Sequence, residues 1–209
     1  MAENLTLHED PRSGNCYKIR LTAALLGLPL ERRFYDITRG ETRTPAFLAT
    51  VNANGRIPVL QIGEGADARF LPESNAACWY LAHGSALIPE DRLAQADCLR
   101  WMFFEQYSHE PNVATLRFWL GIVGEAALSD DQRRLLPHKR EAGMAALGLM
   151  DEHLASRAFF CGERATLADI GLFAYTHVAE EGGFPLARYP HVLAWIGRIE
   201  ALSGFVPMD

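Results

Sequence analysis

The sequence predicts an α/β unit of order βαβαββα followed by an all-helical unit. Two observations predict it. Short strand-like runs alternate with helical patterns as far as residue 83 and then stop, and from Glu90 onward every patterned stretch has helical spacing. The break HGSALIP, residues 83–89, separates the patterns and gives expected domains of 1–83 and 89–209. A chain of 209 residues can bury a substantial core as one large domain or two small ones.

The elements follow in order. Residues 4–8 read as a first strand, and residues 30–37, LERRFYDI, as a second. Between them Cys16, Ile19, Ala23 and Leu26 share one helical face, and Gly27 supplies the stop. TRTPAFLATVN, 42–52, reads as a short helix, IPVLQI, 57–62, as a strand, and ADARFL, 66–71, as a strand after the turn GEG. ESNAACWYLAH, 73–83, closes the unit as a helix with apolar positions Ala76, Ala77, Tyr80 and Leu81.

In the second unit, LAQADCLRWMFFEQYSHE is a long helix that Pro111 is expected to kink or end, and LLPHKREAGMAALGLMDEHLAS is another. ATLADIGLF carries a helix start in which Thr166 is the N-cap and Asp169, three residues on, reaches back to it. Ile170, Phe173, Ala174 and Val178 then form a buried stripe, as do Val192, Trp195, Ile196 and Ile199 in a last helix opened by Tyr189 and Pro190.

Composition narrows the function. A net charge of -6 gives no general attraction to nucleic acid or anionic lipid, so neither is expected as a partner. No apolar run approaches the ~20 residues that span a bilayer, and MAENLTLHED has no signal-peptide pattern, so the expected location is cytoplasmic. Cys16, Cys78, Cys98 and Cys161 are too sparse for a disulfide framework and lack zinc-site spacing; they read as free thiols. His109 and Glu110 have no ligand partners at helical spacing and read as a solvated face, and no metal is expected.

Three segments carry chemistry. In NANGRIPVLQI, Pro58 cannot donate to a sheet ladder and so belongs at a strand start or edge. A cis Ile57–Pro58 bond would turn the Ile57 backbone outward as a docking edge for an extended peptide; X-Pro bonds are cis only ~5% of the time, so the surrounding residues must carry that reading. They do so in FLPESN, where the Ser74 hydroxyl and the free N–H groups of a helix start can hold a carboxylate, and Glu73 can face an ammonium. The third segment is RSGNCYK, residues 12–18, with a hydroxyl and a thiol around a hinge.

With these residues in view, the chain resembles the glutathione transferases, which join a thioredoxin-like amino-terminal domain to an all-helical carboxy-terminal one. SGNCYKIRLTAALLGL, NGRIPVL, the Glu73–Ser74 pair, TLADIGLF and YPHVLAWIGRIEALSGFVP carry the resemblance across nearly the whole chain. It implies glutathione as co-substrate, a small-molecule electrophile as second substrate, and a homodimer. It implies that Ser74 and Glu73 bind the γ-glutamyl head, that the backbone at Ile57 and Pro58 pairs with the cysteinyl unit, and that Arg43 or Arg56 reaches the glycine carboxylate.

The resemblance also puts Ser13 where the family activates the glutathione sulfur, with Asn15 assisting, while the first strand offers His8 where several classes carry a tyrosine. Against a thioredoxin-type C-x-x-C, the chain keeps only the second cysteine, Cys16, on the helix face expected to be buried. Trp101, Phe104, Tyr107 and Ser108, with Phe118 or Trp119, are the expected lining for the electrophile between the domains. The implied activity is thioether formation. Reduction of a disulfide or peroxide by the same thiolate, and a non-catalytic ligand- or partner-binding role, are the alternatives.

Overall fold

The structure is a computed structural model that describes residues 4–209. The chain divides into two compact units, one running to Ser85 and including Leu202–Asp209, the other Ala86–Ala201.

The first unit is built on a four-stranded mixed sheet in the order β2-β1-β3-β4. Its elements are β1 (Leu5–Glu9), α1 (Gly14–Leu25), β2 (Glu31–Phe34), α2 (Pro45–Thr50), β3 (Val59–Ile62), β4 (Arg69–Pro72) and α3 (Ser74–Leu81), the expected βαβαββα order. β1 runs parallel to β2 and antiparallel to β3, placing Leu7 opposite both Arg32 and Leu60. A parallel pair requires a crossover connection, which α1 supplies. Leu7, Val59 and Leu60 are fully buried, whereas β2 is a short exposed edge carrying Arg32 and Arg33, which protects it from further pairing.

Local chemistry sets the element ends. Gly27 takes φ +64 and ends α1, its N–H donating to the Ala24 carbonyl. β2 stops at Phe34 rather than at residue 37 because Asp36 turns the chain, accepting from the Thr38 N–H and hydroxyl. α3 buries Ser74, Ala77, Cys78 and Leu81, a continuous stripe against α1, so the expected positions Ala76 and Tyr80 face outward instead.

The last residues return to this unit. The Tyr17 hydroxyl donates to the Val206 carbonyl at 2.7 Å, and Arg20 reaches Asp209 at 2.6 Å. The helical unit therefore ends at Ala201, not at residue 209. Beneath Asp209 lies Glu9, fully buried, bonded to Arg32 and 3.2 Å from Arg20 Nε in an ion pair without hydrogen-bond alignment. Burial raises the Glu9 pKa, opposed by Arg32 and Arg20. Replacing Glu9 by alanine removes the buried carboxylate from between two guanidiniums, leaving Arg20 to Asp209 and the Pro11 carbonyl, and is expected to cost about 3 kcal/mol in denaturant unfolding, whereas Asp209→Ala, half-exposed, should cost less than ~1 kcal/mol. Equal losses in the two variants would refute this assignment.

The second unit contains α4 (Arg92–Phe104), α5 (Glu110–Leu116), α6 (Asp130–Leu154), α7 (Leu167–Thr176) and α8 (Pro190–Glu200). Its core is a chain of rings: Trp101 meets Phe160 at 4.6 Å, Phe160 meets Trp195 at 5.2 Å, and Trp195 meets Phe173 at 6.1 Å. α6 starts at Asp130, earlier than expected, on a capping box of Ser129 and Gln132. All of α7 is buried, Val178 lying just beyond it half-buried.

The expected long helix is interrupted just ahead of Pro111. The chain passes from α4 through a π-helical turn, Glu105–His109, into α5, with Pro111 in the first turn where its missing N–H costs nothing. His109, four residues after buried Glu105 and eight after Trp101, is buried on their face, its Nε2 3.0 Å from the Thr176 hydroxyl, rather than on a solvated face. No helix among the described residues is long and apolar enough to cross a membrane.

Candidate functional site

The turn between β1 and α1 is held rigidly. Asp10, 1% exposed, accepts from the Arg12 N–H at 3.0 Å, from Arg12 Nε at 2.9 Å and from the Ile37 N–H at 3.2 Å. Burial would raise the Asp10 pKa, but these donors outweigh it and hold the carboxyl below its usual range. Arg12 also bonds Asp36 at 2.9 Å, tying the turn to the segment after β2. Sequence reasoning missed this clamp, whose signal was the turn-forming DPRS.

Ser13, half-buried, is the N-cap of α1; its hydroxyl accepts from the Cys16 N–H at 3.4 Å, a long bond. Cys16 faces the core, as expected. Burial pushes its thiol up to about 12, against a hydrogen bond with Ser13, so it is unreactive at neutral pH. Two residues after Ser13, Asn15 turns toward α3, where the Ser74 hydroxyl donates to Asn15 Oδ1 at 3.3 Å.

That bond joins two helix starts. At α3, Ser74 is 6% exposed, no side chain caps the first turn, and Glu73 just before it takes φ +70. Glu73 is the one non-glycine residue with positive φ among the described residues, and such backbone strain is retained where the surroundings demand it. First-turn N–H groups of a helix beside a hydroxyl suit a carboxylate.

The third part is the loop ahead of β3. Asn52 donates to the Arg56 carbonyl at 2.9 Å and accepts from the Asn54 N–H at 3.0 Å. Arg43 donates to the Asn54 carbonyl at 3.2 Å and lies across Gly55, where a Cβ would meet its side chain at 2.9 Å. Arg56 is exposed, Pro58 is buried, and the Ile57–Pro58 peptide is cis. A cavity of about 700 Å³, lined by residues including Leu5, Leu28, Pro29, Trp79 and Tyr80, shares no residue with these three parts.

These parts can be compared with known proteins. Residues 12–83 match the family model described as glutathione S-transferase, N-terminal domain, and residues 133–198 the C-terminal domain model. A glutathione S-transferase-like protein from a Fusarium species is 30% identical, covering 89% of this chain and 84% of that protein. A crystal structure of a glutathione S-transferase from Pseudomonas fluorescens is 44% identical with a TM-score of 0.90, covering 98% of both chains. The chain belongs to the glutathione S-transferase family. A further glutathione transferase family member from Pseudomonas fluorescens, solved with two glutathione bound, is 25% identical with a TM-score of 0.82 over 98% of this chain and 91% of that one.

Within this glutathione S-transferase chain the other expected site residues do not form one group. Trp101 is 1% exposed and packed among Phe104, His153 and Phe160, so it belongs to the core of its unit rather than to a substrate surface. Tyr107 is 87% exposed, while Phe104, Ser108, Phe118 and Trp119 are half-buried. At about 100° per residue Tyr107 lies some 120° around the axis from Trp101, so the buried face that holds Trp101 leaves Tyr107 in solvent.

His8, at the place where several classes of the family carry a tyrosine, is fully buried between the Tyr35 hydroxyl (2.9 Å) and Gln61 (3.0 Å). Burial lowers its pKa, opposed by Gln61, and burial likewise lowers those of His153 and His177. The unfolded chain thus binds protons at these rings before the folded one does. Stability is expected to be complete above about pH 6.5 and to fall as pH drops through that value. Imidazole NMR titration checks this; rings titrating at or above ~6.5 in the folded protein would refute it.

Proposed function

We propose that this chain binds glutathione, ionises its sulfur and adds the thiolate to an electrophilic small molecule. The observation that carries the reading is the Ser74–Asn15 hydrogen bond, which couples the α3 start to the α1 start. In this reading the α3 first turn with Ser74 and Glu73 takes the γ-glutamyl head, and the backbone at Ile57 and Pro58 takes the cysteinyl unit. Arg43, already turned over Gly55, or Arg56 takes the glycine carboxylate. The relative solved with glutathione supports the choice of tripeptide.

Ser13 and the positive end of α1 then act on the sulfur, with Asn15 orienting the turn. Free thiol has a pKa near ~8.5, so a hydroxyl donor and helix N-terminus that lower it by ~2 units, worth ~2.7 kcal/mol, leave most bound glutathione ionised at neutral pH. The same thiolate could attack a disulfide or peroxide.

Turnover of a chlorinated nitroaromatic measured beside a hydroxyethyl disulfide distinguishes the two chemistries, the first being expected to dominate. A glutathione titration tests the site itself: saturable binding is expected, and Ser74→Ala should weaken it roughly tenfold or more, the loss of a hydrogen bond to a charged group. No saturation at millimolar glutathione would remove both enzymatic readings and leave a non-catalytic role for the fold.

A further inference from the structure

The turn DPRS, residues 10–13, closes on Ser13, whose N–H donates to the Asp10 carbonyl at 2.9 Å. The hydroxyl that caps α1 is therefore placed by residues ahead of the helix. Arg12 holds this turn through two nitrogens at once. Its Nε donates to Asp10 Oδ1 at 2.9 Å and its Nη2 to Asp10 Oδ2 at 2.6 Å, a two-pronged contact that leaves neither side chain free to swing. The same Nη2 reaches Asp36 Oδ1 at 2.9 Å, and Asp36 is anchored in turn by the Thr38 N–H and hydroxyl. Arg20 adds a further hold, its Nη2 donating to the Pro11 carbonyl at 3.1 Å.

The guanidinium of Arg12 is not needed to satisfy Asp10. That carboxylate is 1% exposed, and each of its oxygens already accepts from a backbone N–H, Oδ1 from Arg12 at 3.0 Å and Oδ2 from Ile37 at 3.2 Å. What the two-pronged contact adds is stiffness in the turn that carries Ser13. The other charged groups nearby form a separate set: Glu9 on β1 pairs with Arg20 and Arg32, and Asp209 with the same two arginines. Lys18 is the remaining cation of α1 and is buried, and burial holds the Cys16 thiol up at about 12.

We propose that Asp10 and Arg12 are positioning residues for Ser13, together holding its hydroxyl toward the glutathione sulfur. This rests on the glutathione reading given above and extends it beyond the residues that meet the tripeptide. The direction of the effect separates positioning from simple charge. Asp10 is an anion beside the α1 start, so removing its charge alone would favour a thiolate and lower the bound thiol's pKa. Loss of positioning does the opposite, because the Ser13 hydroxyl then no longer donates to the sulfur.

The test saturates the full chain with glutathione and follows thiolate absorbance against pH in the parent, Asp10→Asn, Arg12→Gln and Arg12→Lys. The bound thiol's pKa is expected to rise by about 1 unit in Asp10→Asn and Arg12→Gln, as for one lost hydrogen bond to a charged group. Turnover should fall roughly tenfold at neutral pH and recover at a pH above the shifted value, which a general loss of stability would not produce. Arg12→Lys keeps the charge but cannot make the two-pronged contact, and should follow Arg12→Gln. The Arg12 side chain is 41% exposed, so its two variants decide the matter even where the buried Asp10→Asn fails to fold. A lowered or unchanged thiol pKa in the variants that fold, or full recovery in Arg12→Lys, overturns the proposal and leaves the glutathione reading standing. A parent that shows no saturable glutathione binding, or binds it with the thiol pKa unlowered, removes the reading and the proposal together.

Discussion

Asp169→Ala is expected to lower the unfolding free energy by about 3–5 kcal/mol, the largest effect of any single substitution considered. Asp169 is fully buried and accepts from four donors: the Phe160 N–H (3.0 Å), the Thr166 N–H (2.8 Å), the Thr166 hydroxyl (2.9 Å) and the indole N–H of Trp195 (3.0 Å). Burial raises its pKa, opposed by these same donors. Alanine leaves all four donors unsatisfied in the core, and each buried unpaired group costs roughly 1–3 kcal/mol. The elements involved are the turn after α6, the start of α7 and the middle of α8, so one carboxylate organises three segments of the helical unit. Asp169→Asn keeps the shape but presents an NH2 donor in place of one oxygen that accepted two of the four bonds, and should fall between parent and alanine. Denaturant midpoints check the series; a loss below ~1 kcal/mol in the alanine variant would mean that water replaces the carboxylate.

Ser13→Ala is the second. On the proposed reading it removes the hydroxyl that stabilises the glutathione thiolate, so the bound thiol's pKa should rise by about 1–2 units and kcat/KM at neutral pH should fall roughly 10–100-fold. Glutathione affinity should change little, because the tripeptide is held elsewhere. The substitution also removes the N-cap bond to the Cys16 N–H, which at 3.4 Å is long, so the accompanying stability loss should stay near or below ~1 kcal/mol. Ser13→Thr, which keeps the hydroxyl, should recover most of the activity. Thiolate absorbance followed against pH reads the effect directly, and an unchanged thiol pKa in the alanine variant would refute the role of Ser13.

Much of the fold was legible because its signals are local. The βαβαββα order follows from apolar period and turn residues, and Gly27 ends α1 because it alone adopts φ +64 without a Cβ penalty. The Thr166–Asp169 helix start is written in four consecutive residues, and Cys16 is buried because it shares a helical face with Ile19 and Ala23. In the candidate site, the residue types at the helix starts and at the loop before β3 could be named for the same reason.

Other features were set by contacts distant in sequence. His109 turns inward on the same face as Cys98, Trp101, Met102 and Glu105, but that this face is the buried one, with Thr176 waiting for His109, is decided by the helices packed against it. The sequence by itself determined the element order, the helix caps and the chemistry available at each turn, because these depend on neighbours within a few residues. Only the tertiary structure decided that Ser74 meets Asn15 and that Asp209 returns over Glu9. Each is a pairing across dozens of residues, made by packing one element on another rather than by any local preference.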